Sequence, residues 1–183
     1  MKGNSGVDAH LERFALDCRE GKLLEGAERI LVACSGGPDS IALARLLAGT
    51  AAAAGDRRPE ILIGHLNHAI RAEDADLDEA FVREFAEGLG CRFVSARLSS
   101  SSGEGGGGSL SEGRARQLRY EVFAEWAREL RLDGIATGHH RDDQQETILL
   151  RLCRGTGIAG LAGIPAVRTL ENTGGRTRLL RPL

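Results

Sequence analysis

Lysine is nearly absent from this 183-residue chain: of its 24 basic residues only Lys2 and Lys22 are lysines, so arginine carries almost all of the positive charge. Charge of one sign is not in large excess either, since 26 acidic residues leave a formal net charge of −2, which argues against a generic nucleic-acid coat. No stretch approaches the ~18 uninterrupted apolar residues of a membrane span, and Met1 to His10 lacks the apolar core of a secretory leader. Cys18, Cys34, Cys91 and Cys153 show no C-x-x-C spacing, which excludes a zinc ribbon, an iron–sulfur loop and a disulfide framework and reads as reduced thiols packed as small hydrophobes. These absences lead us to expect a soluble, cytoplasmic protein with no membrane partner.

What is present points to one folded domain. At 42% hydrophobic and 27% charged residues, the chain is too apolar and too evenly charged to stay disordered, and its length suits a single unit over 1–183. The charge is uneven along it: from Ser111 onward 12 arginines face 9 acids, so a polyanion should meet the second half.

The periodicity alternates between two kinds of segment. Helical spacing runs from Val7 to Leu24, then Ile30 to Cys34 forms a short continuous apolar run, as in a strand buried on both faces. A helix over Asp39 to Ala54, a strand over Ile61 to Leu66, a helix over Asp74 to Leu89 and a strand over Cys91 to Ala96 follow. The Ser/Gly-rich segment 99–109 is expected to be a mobile loop. Beyond it come a helix from Leu110 to Leu130 with Ser111 as its cap, a strand over Asp133 to Thr137, a helix over Gln144 to Cys153, and a closing strand near Arg181-Pro182-Leu183. Strands alternating with helices predict an α/β fold: a Rossmann-like parallel sheet of about five strands with helices on both faces and right-handed crossovers. Ligands of such sheets bind beyond the carboxyl ends of the strands, where three polar clusters should converge.

Ser35-Gly36-Gly37-Pro38-Asp39-Ser40 joins a buried strand to a helix start. Its glycines let backbone approach a ligand, the exposed amides and helix dipole favour phosphate, and Asp39 fits an anion site once a divalent cation sits between them. It is not a Walker A loop, because the Gly-Lys-Ser/Thr ending is missing. The second cluster is His65-Leu66-Asn67-His68 with Arg71; the third, Gly138 to Thr147, packs His139 and His140 with Asp142, Asp143 and Glu146. Carboxylates there suit a magnesium or ammonium group, with His139 as a base or hydrogen-bond donor; Asp143 and Glu146, at i and i+3, would share a helix face. Arg116 and Arg119 share another face, with the geometry for phosphate recognition. An ordinary turn, a helix start decorated with acids, or solvated surface charge would use the same residues.

The first string resembles the S-G-G-x-D-S pyrophosphate loop of the N-type ATP pyrophosphatases, the adenine nucleotide alpha hydrolase type of fold. His65-x-Asn67-His68 with Arg71, the helix around Arg116 and Arg119-Tyr120, Asp142-Asp143-Gln144-x-Glu146-Thr147, Arg154-Gly155-x-Gly157 and the closing Arg181-Pro182-Leu183 together resemble the tRNA(Ile)-lysidine synthase family. Ala69 stands where that family usually has glycine, and the Ser/Gly segment is unlike it. The match runs from about Ile30 to Leu183.

The resemblance implies a carbon–nitrogen ligase that uses ATP and Mg²⁺ to adenylate the wobble cytidine of an isoleucine tRNA with a CAU anticodon, after which free L-lysine displaces AMP. It implies ATP binding by Ser35, Gly36, Gly37, Pro38, Asp39, Ser40, His65, Asn67 and His68, with Asp39 on the metal. Asp39, Arg119, His139 and Asp143 would be catalytic, Asp143 and Glu146 would bind lysine, and Arg71, Arg116 and Arg154 would contact tRNA. It further implies a catalytic domain of a longer protein, and leaves open a homodimer. A related tRNA thiolase would need a persulfide cysteine or cluster ligands, which the scattered cysteines do not supply; a nucleotide-binding module without chemistry would not need this many charged site residues.

Overall fold

The run Ile30-Leu31-Val32 is wholly buried because β1 (Arg29–Ala33) lies inside the sheet, with β2 (Glu60–Asn67) on one side and β4 (Gly134–Thr137) on the other, both parallel to it. The computed structural model describes residues 5–55, 58–67, 72–98 and 112–183. Around these strands lie α1 (Ser5–Glu20), α2 (Pro38–Ala53), α3 (Ala72–Gly88), β3 (Arg92–Arg97), α4 (Glu112–Glu129), α5 (Arg141–Cys153), a 3-10 helix (Ile158–Ala162), β5 (Val167–Thr169) and β6 (Arg178–Leu180). The Ser/Gly segment 99–109 and the Ser111 cap fall outside the described residues.

The strand order is β3-β2-β1-β4-β6-β5, so the chain moves outward from β1 to β3 and then crosses back to add β4 on the other side. Right-handed crossovers in opposite directions put their helices on opposite faces. Strand alternation matches this. Ile30, Val32, Ile61, Ile63 and Ala136 pack with Leu43, Leu47 and Val82 of α2 and α3. Leu31, Leu62, Ile135 and Leu179 pack on the other face with Phe123, Trp126 and Ala127 of α4.

Three features depart from the sequence expectation. The sheet has six strands rather than about five, because β5, only three residues long, pairs antiparallel with β6 at the edge; three residues are too few for a period to register. The last strand is Arg178–Leu180, just before the Arg181-Pro182-Leu183 segment. Helix α1 stops at Glu20, not Leu24: Lys22 takes the left-handed conformation (φ 50°) and the Leu23 amide donates back to the Cys18 carbonyl, a Schellman closure made without the usual glycine in that role. Helix α5 buries none of its residues and leaves Leu149, Leu150 and Leu152 exposed.

Gly64 in β2 lies directly beneath Trp126 of α4. A Cβ there would lie 2.7 Å from a methyl of Leu31 and 2.9 Å from the Trp126 ring. Gly64→Ala is therefore expected to lower unfolding stability by about 1–3 kcal/mol through overpacking, read from denaturant midpoints; an unchanged midpoint would show that α4 shifts freely.

Candidate active site

The first turn of α2 begins with Pro38, whose fixed φ suits that position and whose missing N–H would be unpaired there in any case. The next amides have no acceptor within the helix and, with the helix dipole, attract an anion. Gly36 turns the loop at φ 92°, a conformation costly for side-chain-bearing residues. Ser40, almost fully buried, staples the loop: its hydroxyl donates to the Gly37 carbonyl (2.9 Å), accepts from the Ser35 amide (3.2 Å), and lies 3.2 Å from the Ser35 hydroxyl. Through these bonds Ser40 shapes the loop. Cys34, 2% exposed, is held beneath the loop with its thiol 3.6 Å from the Ser40 hydroxyl.

The β4–α5 junction presses against this loop. A Cβ on Gly138 would lie 3.2 Å from the Ser40 nitrogen and 3.3 Å from the Asp39 carbonyl carbon, so a larger residue would push the two backbones apart by a few tenths of an ångström. Between them opens a cavity of about 330 Å³ at the carboxyl ends of β1, β2 and β4, the reversal point of the strand order. Ser35, Gly37, Asp39 and Ser40 line it from the loop, Arg119, Tyr120 and Phe123 from α4, and His139, His140 and Asp143 from the junction.

His140, which the sequence motifs do not single out for a role, is central here. It caps α5: its Nδ1 accepts from the Asp142 amide (3.2 Å), while its own amide donates to the Asp143 carboxylate (2.7 Å). This starts α5 at Arg141, three residues ahead of the expected Gln144; histidine is not among the usual capping residues that mark a helix start. The His140 Nε2 lies 3.6 Å from Asp39 and 3.8 Å from Asp143, between the two carboxylates. Tyr120 and Phe123 of α4 also line the cavity without having been singled out as site residues from the sequence.

His139 Nδ1 sits 2.9 Å from the Thr137 hydroxyl, which itself donates to the Leu180 carbonyl (3.5 Å). Either the Thr137 hydroxyl or an Nδ1–H donates across that contact, and in the neutral ring one of the two nitrogens stays basic. Burial, then the nearby Arg181 charge, hold the imidazole below its ordinary 6.5 against the opposing pull of Asp143.

The remaining candidates sit elsewhere. His65, 3% exposed, bonds through Nδ1 to the Cys34 carbonyl (2.9 Å). Asn67, 1% exposed, gives its amide to the Ala75 carbonyl and to the Asp76 and Glu79 carboxylates of α3. Both stand behind the loop and tie β2 to its neighbours rather than lining the cavity. Glu146 and Arg154 are exposed on α5 and at its end, and Arg116 is on α4, outside the lining. His68 and Arg71 fall outside the described residues. Among the described residues no group of three or more His, Cys, Asp or Glu side chains is placed to hold a metal, so an ion at Asp39 would take most of its ligands from substrate phosphates and water, a usual arrangement for Mg²⁺. No helix among the described residues is long and apolar enough to cross a membrane.

Because folded His139 resists protonation that the unfolded chain accepts, the stability it contributes is present above about pH 6.5 and is lost as acidification proceeds through its lowered folded value. Denaturant midpoints taken at about pH 7.5 and about pH 5.5 should fall more for the parent than for His139→Gln; equal falls would mean the imidazole is not held neutral.

The same outline recurs in known proteins. A PP-loop domain model matches residues 7–183, which supports ATP as the nucleotide used here. The chain is 43% identical over 161 residues to the tRNA(Ile)-lysidine synthase of Symbiobacterium thermophilum, covering 88% of this chain and 32% of that protein. It is 40% identical over 153 residues to that of Chlorobaculum tepidum (84% and 45%) and 36% identical over 182 residues to that of Novosphingobium aromaticivorans (100% and 51%). It thus spans about a third to a half of the length of these relatives. A U34-tRNA thiolase from Methanococcus maripaludis, solved with its 4Fe-4S cluster, superposes with a TM-score of 0.71 at 17% identity over 96% of this chain and 60% of that one, a likeness of fold alone. With the match running from α1 through the stapled loop and the β4–α5 junction to the last residue, this chain belongs to the PP-loop domain family.

Proposed function

We propose that this chain is the catalytic part of a tRNA(Ile)-lysidine synthase. One observation carries the reading: the anion-attracting loop, a guanidinium, a lowered-pKa imidazole and two carboxylates face a single cavity. Relatives of that name match over most of the chain.

In the first step the C2 oxygen of the wobble cytidine in a CAU anticodon attacks the α-phosphorus of ATP. The bond to the β-phosphate oxygen breaks and pyrophosphate leaves. The Ser35 to Gly37 backbone and the first-turn amides of α2 hold the departing β and γ phosphates, with Pro38 fixing that turn. Asp39 would hold Mg²⁺, which would supply charge neutralisation on the polyphosphate. Arg119, which makes no ion pair among the described residues, faces the cavity where negative charge develops.

In the second step the ε-amine of free lysine attacks C2 and AMP leaves with the oxygen. An ammonium has no lone pair, so a proton must first depart. Asp143, 3.8 Å from His140, attracts the lysine ammonium from within the cavity, and Glu146, one turn along α5, extends that pull outward. His139, held neutral and with one ring nitrogen unprotonated, is suited to receive the proton. His65 and Asn67 act from behind, holding β1, β2 and α3 so that the loop keeps its shape. Arg71, Arg116 and Arg154 would meet the tRNA, and the reaction belongs to the cytoplasm, where tRNA, ATP and lysine occur together.

Radiolabelled lysine should enter a CAU-anticodon isoleucine tRNA transcript, with ATP and Mg²⁺ present, and should not enter a GAU-anticodon control. The Symbiobacterium relative serves as the positive control. Cleavage of ATP to AMP and pyrophosphate without lysine incorporation would overturn the substrate assignment and leave adenylation standing. Asp39→Asn should abolish turnover while unfolding at the parent's denaturant midpoint; full activity in a folded Asp39→Asn protein would remove Asp39 from the metal.

A further inference from the structure

Tyr120 marks the start of a second cationic wall that the adenylation reading does not use. The Arg168 guanidinium lies 4.8 Å from the Tyr120 ring centre and that of Arg116 5.2 Å. The phenol oxygen accepts from Arg116 (3.2 Å), and Arg181 lies close enough to Tyr120 and Arg168 for their charges to act on one another. Arg181 is only 7% exposed and is anchored through its terminal nitrogen to the Pro165 carbonyl (2.5 Å). With Arg119 beside Tyr120, four guanidinium groups gather on the α4 face of the sheet.

Strand register places them there. Arg168 stands directly opposite Leu179, which packs under α4, so Arg168 points to the same face. Among the described residues, no carboxylate pairs with Arg116, Arg119, Arg168 or Arg181, although ion pairs are formed by Arg13, Arg29, Arg83, Arg97 and Arg114. The Nε groups of Arg168 and Arg181 are buried without any acceptor. Arg181 is buried and Arg119 and Arg168 are partly buried, and cations removed from water without a counter-charge are unfavourable in the free protein; an arriving anion would relieve that repulsion, with exposed Arg116 at the rim.

The strand order decides which anion. The ATP-binding loop follows β1, whereas Arg168 lies on β5, three strand spacings away, roughly 14 Å. One polyphosphate held at the α2 amides does not need a second cradle at the far edge. We propose that Arg168 and Arg181, joining Arg116 around Tyr120, bind backbone phosphodiesters of the RNA strand that delivers its base to the cavity. The inference rests on the RNA-modifying reading above and adds a track along which the strand leaves, over the β6–β5 edge. It also uses the arginine-rich half of the chain and the planar, bidentate phosphate geometry of its guanidinium groups.

The test is binding of fluorescein-labelled RNA hairpins with CAU and GAU loops, measured by anisotropy across a salt series, alongside ATP affinity by calorimetry. Arg168→Gln and Arg116→Gln, each checked against the parent's denaturant midpoint, should weaken both hairpins by roughly tenfold. Each should lower the salt slope by about 0.7, the change expected when one phosphate of a single strand is no longer neutralised, and leave ATP affinity unchanged. Arg168→Lys should restore the slope. An unchanged slope in both variants overturns the proposal. Weakened ATP affinity with RNA binding intact also overturns it, because the anion would then be the nucleotide's own phosphate. Absence of RNA binding by the parent chain overturns this inference together with the tRNA reading, whereas arginine-dependent RNA binding without lysine incorporation overturns the enzymatic reading and leaves the track.

Discussion

The approach of Gly138 to the first turn of α2, with a Cβ position 3.2 Å from the Ser40 nitrogen, is the constraint from which the site follows. Parallel pairing of β1 with β4 sets the two backbones side by side, and reversal of the strand order there leaves a cleft that no crossover helix fills. The loop after β1 and the junction after β4 thus share one cavity. The loop's shape depends on the Ser40 staple, and the junction's shape depends on the His140 cap. Neither is free to reshape independently, because the glycine leaves no slack between them.

Opposed charges are kept apart within this small space. The α2 amides and Arg119 make one region attractive to phosphate, while Asp39, His140 and Asp143 form a row suited to cations. His139 stands between these regions and stays neutral, since burial and Arg181 together disfavour its charged form more than Asp143 favours it. A neutral imidazole with one basic nitrogen accepts a proton without adding positive charge beforehand to a site that must also receive an ammonium. The same arginines that keep it neutral form the wall around Tyr120, so proton chemistry and RNA contact share a physical cause in the proposed reaction.

Asn67 and His65 illustrate how polar residues at a strand end can brace the framework around a site. Each lies almost wholly buried, and each spends its hydrogen bonds on the framework: His65 on the carbonyl just before the loop, Asn67 on the acids of α3. The Glu79 carboxylate in that network is held below its ordinary value chiefly by the Ser95 hydroxyl, with Asn67 and Arg83 adding to the effect. Fixing α3 to β2 in this way fixes the floor beneath Gly36.

The sequence by itself determined the elements with a strong local signature. A continuous apolar run bounded by turn residues reads as a strand covered on both faces, so β1, β2 and β4 were legible, and Ser35 to Ser40 declared a phosphate loop through its glycines and its place before a helix. Features depending on contacts distant in the chain were not legible. The edge strand β5 is too short to show a period and exists because β6 offers it hydrogen bonds. The His140 cap is decided by an amide and a carboxylate meeting at a junction, with a residue type that carries little capping preference. Arg168 carries no local signal and is turned toward Tyr120, 48 residues earlier in the chain, only by the pairing of β5 with β6. Local propensity records what a segment can do alone, whereas the direction of a side chain in a sheet is fixed by its neighbours' register, and only the tertiary structure supplies that.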